Sequence, residues 1–210
     1  MNKMQGKFIT IEGIEGVGKS TNIDFIASYL KSHNINLMTT REPGGTELAE
    51  KIREILLNTQ KEDVPEIAEL LLFFAARSFH LSNVIKPALA EGKYVVCDRF
   101  TDATVAYQGS GRGFNIDRIN LIANWVHKNL KPDVTILLDA PAELGMERAK
   151  KRGSKDRMES EQMSFYRRVR KGYLNLAKNE PERFAIIDAT QSLAKVQKEI
   201  KKHLENLVNE

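Results

Sequence analysis

Cysteine is almost missing from this 210-residue chain. Cys97 stands alone, so neither an intramolecular disulfide nor a cysteine zinc site can be built. It closes the apolar run Tyr94-Val95-Val96, and the expectation is a buried structural thiol in a reducing compartment. Long apolar runs are missing too. The longest, Leu70 to Ala76, is far shorter than the roughly 20 residues of a membrane-spanning helix. Met1 to Lys7 lacks the apolar stretch of a secretion signal. These absences lead us to expect a cytoplasmic protein that binds no membrane. Extended Lys/Arg blocks and basic-aromatic interleaving are absent, so nucleic acid is not expected as a partner. The net charge of +4 suits an anionic small substrate. Lys195, Lys198, Lys201 and Lys202 read as the solvated face of a terminal amphipathic helix. His33, His80, His127 and His203 show no metal spacing and receive no role.

No repeat, low-complexity segment or interdomain linker interrupts the chain, and its length suits one domain spanning 1–210. Short apolar, β-rich runs alternate with helical spacing. The strand-like runs are Phe8–Ile11, Asn36–Thr40, Tyr94–Cys97, Val134–Leu138 and Phe184–Ile187. Helical stretches read as 19–32, 46–57, 66–90 (one long helix or two joined near Pro87), 116–129, 142–151, 161–178 and 192–208. Such alternation predicts an α/β fold: a five-stranded parallel sheet covered by helices on both faces, with ligands at the carboxyl edge.

Residues 13–20 read G-I-E-G-V-G-K-S, matching the phosphate-binding pattern G-x-x-x-x-G-K-[ST] between a strand and a helix. Gly13, Gly16 and Gly18 let backbone N–H groups curl around phosphate oxygens. The helix from Lys19 adds its N-terminal dipole. Lys19 reaches the β- and γ-phosphates, and Ser20 offers a hydroxyl to Mg²⁺. Ile14, Glu15, Val17 and Thr21 complete the ATP-binding stretch. The motif is strong for a nucleotide and silent about its use.

Asp98 and Arg99 end the third strand at the same edge. Asp98 can hold Mg²⁺ and Arg99 a phosphate. The guanine-reading N-K-x-D of switch GTPases is absent, and no Asp-Glu follows a hydrophobic strand as in ATPase motors. A small-molecule kinase survives this comparison best. Transfer between phosphates needs cations and exclusion of water. The P-loop carries no arginine, and the charged stretch 150–159, with Arg148 just before it, reads as a flexible lid over roughly 148–160.

The full motif set then resembles the thymidylate kinases (dTMP kinases), the bacterial type in particular. The matching pieces are I-E-G-I-E-G-V-G-K-S-T at 11–21, T-R-E-P-G-G-T at 40–46, L-L-F-F-A-A-R at 71–77, C-D-R-F at 97–100, A-Y-Q-G-S-G-R-G at 106–113, D-R-M-E at 156–159 and D-A-T-Q at 188–191. The resemblance implies ATP- and Mg²⁺-dependent phosphorylation of dTMP to dTDP by a P-loop kinase. Phe73 would stack on thymine, and Arg77, Gln108 and Thr104 would line the base. Tyr107 would pack under the deoxyribose and disfavour a 2′-hydroxyl. Glu15 would meet the sugar 3′-hydroxyl or the Mg²⁺ shell. Glu42 and Pro43 would line the acceptor site, with Arg53 and Arg99 on its phosphate. Arg152 and Arg157 would be the catalytic lid cations, and Arg148 would lie along the adenine. A homodimer packed through the long helices is implied as well. Another nucleoside monophosphate kinase, or a P-loop switch that phosphorylates nothing small, are the competing readings.

Overall fold

The computed structural model describes residues 6–58, 64–128, 130–151, 153 and 161–209. Its centre is a five-stranded sheet in the order β2-β3-β1-β4-β5. The strands are β1 Phe8–Glu12, β2 Leu37–Arg41, β3 Tyr94–Asp98, β4 Val134–Asp139 and β5 Phe184–Asp188, and every adjacent pair runs parallel. The inner strands are buried on both faces, as their unbroken apolar runs require. The pleat divides them between two helical layers. Val95 and Cys97 pack with Leu81, Ile85 and Ala88 on one side, while Tyr94 and Val96 pack with Ile26, Leu30, Ile200 and Leu204 on the other. Cys97 is a buried free thiol, raised above its ordinary pKa by burial. No helix among the described residues is long and apolar enough to cross a membrane.

The helices are α1 Lys19–Ser32, α2 Glu47–Asn58, α3 Glu66–His80, α4 Lys86–Ala90, α5 Thr101–Thr104, α6 Ile116–His127, α7 Ala142–Lys150, α8 Met163–Asn179 and α9 Leu193–Asn209. Asn115 starts α6 by accepting the Arg118 N–H at 3.0 Å. The helical run expected over 66–90 is continuous, and Pro87 does not break it. Between α3 and α4 the chain runs through a π-turn at Leu81–Ile85, and Pro87 sits in the first turn of α4, where a missing N–H matters least. A second π segment, Val105–Gly111, continues α5. Sequence patterning gave no helix here, because β-branched Thr101, Thr104 and Val105 and two glycines weaken the helical signal. Burial of Val105 to Gly109 against α8 overrides propensity. Part of the stretch expected to act as a lid lies among the described residues. Arg148 and Lys150 belong to α7, and Lys151 pairs with Glu147 at 2.8 Å in an i,i+4 bridge. Residues 152 and 154–160, with Arg152 and Arg157 among them, lie outside the described residues.

Candidate active site

Strand order decides where a ligand fits. From β1 the chain crosses to β2 on one side of the sheet, and from β3 it crosses to β4 on the other. The reversal falls between β1 and β3, where Ile11 is in register with Asp98. At such a switch point the loops part and leave a crevice. The P-loop leaves β1 here, and Asp98-Arg99 leaves β3.

Gly13, Gly16 and Gly18 all have positive φ, at 133°, 74° and 92°, which disfavours any other residue. A Cβ on Gly16 would collide with the Gly145 carbonyl of α7. Lys19 Nζ donates to the carbonyl oxygens of Gly13 (3.2 Å) and Ile14 (3.0 Å), so it arches over its own loop. Burial, and then the neighbouring Arg99 charge, lower its pKa to about 8. Ile14 and Val17 are buried, which leaves their backbone to serve the loop.

Arg99 is held from several sides. It adopts φ 69°, the left-handed region that a non-glycine residue enters only when its surroundings impose it. Its Nη1 donates to Gly13 O and to the Tyr173 hydroxyl, both at 3.0 Å, and its Nη2 donates to Glu15 Oε1 at 2.9 Å. The guanidinium lies 4.8 Å from the Tyr107 ring centre. Tyr107 in turn donates to Glu15 Oε1 at 2.6 Å. Burial opposes the charge on Arg99, but Tyr107, Tyr173, Glu15 and Asp98 raise its pKa further. Behind it, Glu12 accepts from the Phe100 N–H and from Tyr173, each at 2.7 Å. Burial, and then nearby Asp102, raise the Glu12 pKa to about 8. One oxygen of Asp98 and one of Glu15 are buried without a partner among the described residues.

The opposite wall is α3. Glu69, Phe73 and Arg77 recur every four residues along it and share a face. Arg77 is buried, with Nε on Glu42 Oε2 at 2.6 Å and Nη2 on Phe100 O (3.1 Å) and Thr104 Oγ1 (3.0 Å). Glu42 Oε1 meets His80 Nδ1 at 3.1 Å, and His80 Nε2 meets Thr40 Oγ1 at 2.7 Å. Arg53 donates to the Pro43 carbonyl at 2.8 Å. Gln108 is held by Glu69.

One cleft of about 200 Å³ joins these walls. Glu15, Gly16, Gly18, Lys19 and Ser20 line it from the P-loop, and Asp98 and Arg99 from β3. Glu42, Pro43, Arg53, Phe73, Arg77, Thr104, Tyr107 and Gln108 line it from the opposite side. Arg148 is not among the lining residues; it donates to Ala189 O at 2.9 Å beside the end of β5. Thr21 is exposed one step along α1, outside the cleft. Sequence reasoning missed Glu12, Glu69, Tyr173 and His80, which hold the site residues from behind. A glutamate closing a buried strand was the available signal for Glu12; for His80 it was position on the Arg77 helix.

A P-loop at the switch point of a parallel sheet, facing a second pocket rich in arginine, defines a nucleotide-binding phosphotransferase. A family model described as Thymidylate kinase matches residues 11–200. The chain is 53% identical over 202 residues to the thymidylate kinase of Teredinibacter turnerae, covering 96% of this chain and 98% of that one. It is 52% identical over 197 residues to that of Pseudomonas putida, covering 94% of each. The crystal structure of thymidylate kinase from Ehrlichia chaffeensis superposes with a TM-score of 0.77 at 37% identity, over 96% of this chain and 99% of that chain. The chain belongs to the thymidylate kinase family.

Proposed function

We propose that the chain transfers the γ-phosphoryl group of ATP to the 5′-phosphate of dTMP, giving dTDP, by direct in-line displacement. One observation carries this reading: the P-loop and the arginine-lined acceptor pocket open into a single cleft. Two anionic nucleotides can meet there head to head. The acceptor oxygen is already anionic, so no strong general base is needed. Lys19 and Arg99 offset the charge that spreads over the transferring group. Arg53 and Arg99 hold the acceptor phosphate, Phe73 stacks on thymine, and Arg77, Thr104 and Gln108 address its polar edge. Tyr107, fixed by its bond to Glu15, packs under the deoxyribose. Arg148 flanks the adenine, and Arg152 and Arg157 supply the lid cations of a single kinase domain.

The donor set fits Mg²⁺. Asp98 has a buried carboxylate oxygen without a partner among the described residues, and Ser20 lines the same cleft. No group of three or more His, Cys, Asp or Glu among the described residues forms a metal cage, which suits an ion held by one or two protein groups and by phosphates. Bound there, the ion would neutralise phosphate charge.

The chain acts as a cytoplasmic homodimer in this reading. Leu121 and Trp125 of α6 are 72% and 86% exposed, and Ile67 and Leu71 of α3 also reach solvent. These apolar surfaces lie on long helices and favour a partner copy. Light scattering tests the dimer.

A panel of nucleoside monophosphates offered with ATP, with and without Mg²⁺, tests the activity. dTMP-dependent release of ADP that requires Mg²⁺ is the expected result. Turnover of dAMP, CMP or UMP with none of dTMP would assign the chain to another acceptor.

A further inference from the structure

Behind the acceptor wall sits a carboxylate that does not line the cleft. Glu69 of α3, one turn before Phe73, is 1% exposed. Its Oε1 accepts from Gln108 Nε2 at 2.9 Å and from Arg112 Nε at 2.8 Å, and its Oε2 accepts from Arg112 Nη2 at 3.1 Å. A carboxylate gripped in this bidentate way by a guanidinium only accepts hydrogen bonds. Gln108 can therefore approach it only through its NH₂ group. The amide is planar, so its oxygen points away from Glu69. Gln108 lines the cleft, and that oxygen has no bond among the described residues.

Arg77 adds the complementary group. Its Nε and one of its Nη atoms are engaged, and Nη1 is a buried donor without a partner among the described residues. The pocket thus offers an acceptor from Gln108 and a donor from Arg77. A pyrimidine with N3–H and a 4-oxo group presents the matching donor and acceptor. Cytosine presents the reverse, a bare N3 and a 4-amino group.

We propose that Glu69 sets the base specificity of the acceptor site, by locking the Gln108 amide with its oxygen toward the base. Glu69 is a positioning residue; it touches Gln108, not the substrate. The inference rests on the dTMP reading above and names what enforces its preference for a 4-oxo pyrimidine. The alternative amide orientation would suit cytosine and differs only by a half-turn of the side-chain amide. Without a fixed partner the two interconvert readily. A site built to pair a specific donor discriminates strongly, because the wrong base leaves buried polar groups unpaired.

The test is E69Q. Its amide can accept or donate, so Gln108 is released while volume is kept. The ratio of kcat/KM for dTMP over dCMP should fall by at least about tenfold, with KM for ATP unchanged. In a Q108M background the same E69Q change should leave the ratio where Q108M alone puts it. An unchanged ratio in E69Q overturns the proposal, and so does an equal shift in both backgrounds. Should E69Q fail to fold, E69D decides: one methylene shorter, its carboxylate withdraws from Gln108. The same fall in the dTMP over dCMP ratio is expected, and an unchanged ratio overturns the proposal. Turnover of dTMP by the unaltered protein, read in the same panel, tests the underlying reading separately.

Discussion

Tyr173 of α8 donates its hydroxyl hydrogen to Glu12 Oε2 at 2.7 Å, although the two residues lie 161 positions apart. The same hydroxyl accepts from Arg99 Nη1 at 3.0 Å. Glu12 also takes the N–H of Phe100, the residue after Arg99. Side chain and backbone of Arg99 are thereby tied to one carboxylate, which explains how the residue is kept at positive φ.

Tyr173→Phe should loosen Arg99 without touching the P-loop. Steady-state kinetics should show kcat/KM for dTMP reduced about tenfold, the worth of one hydrogen bond to a charged group, with KM for ATP little changed. An equal loss on both substrates would mean that Tyr173 supports the whole cleft and not Arg99 in particular.

Glu12 carries a pH signature. Burial and Asp102 raise its pKa from 4.5 to about 8, so the folded state holds a proton that the unfolded state releases. The resulting stabilisation is complete below about pH 4.5 and is lost as pH rises through about 8. Denaturant titrations at a series of pH values should show this decline, of order a few kcal/mol across the window. Glu12→Gln should flatten it.

For Lys19 the sign is opposite. Its pKa falls from 10.5 to about 8, so in the free protein the ammonium loses its proton as pH passes 8. Since kcat/KM for ATP reports the free enzyme, it should drop above about pH 8. Bound phosphates favour the charged form, so kcat should hold to higher pH. Lys19→Ala should lower kcat by about 10²–10⁵ at any pH. Near-normal turnover by that variant would remove Lys19 from the mechanism.

The strands and the P-loop were readable because their signals are local. Unbroken apolar runs such as Tyr94–Cys97 mark buried parallel strands, and the glycine spacing of 13–20 marks a loop whose neighbours are a strand and a helix. The cleft residues that touch ligand in our reading came from ordered motifs, and the switch point gathers most of them. What stayed hidden is non-local. Nothing near Tyr173 in sequence announces a bond to Glu12, and nothing near Glu69 announces Gln108. The π segment over Tyr107 and Gln108 was hidden because tertiary burial, not propensity, sustains it.

Arg77 should govern stability as well as binding. It and Glu42 form a pair with 2% and 3% side-chain exposure, and His80 closes on the same carboxylate. Arg77→Ala removes the guanidinium from the buried Glu42 Oε2, leaving His80 on Oε1, and should destabilise the fold by about 3–5 kcal/mol. Glu42→Gln in the same chain should restore part of that loss in thermal unfolding. Additive losses from the two changes would show that the pair is not coupled.

Gly145 shapes the P-loop from outside it. The residue lies on the buried face of α7 and never meets the cleft. A Cβ there would lie 2.6 Å from Glu15 O and 2.8 Å from Ile14 Cδ1. Ile14 is locked in the core, and the Glu15 carbonyl belongs to the P-loop backbone, so the loop must shift if the helix does not. Gly145→Ala should therefore raise KM for ATP or lower kcat by about tenfold or more. The helix itself should gain from alanine, by roughly 1 kcal/mol in propensity, partly masking the clash in stability. The expected variant is folded, close to the parent in thermal unfolding, and poor in turnover. Normal kinetics in such a variant would mean that α7 yields and the P-loop keeps its shape.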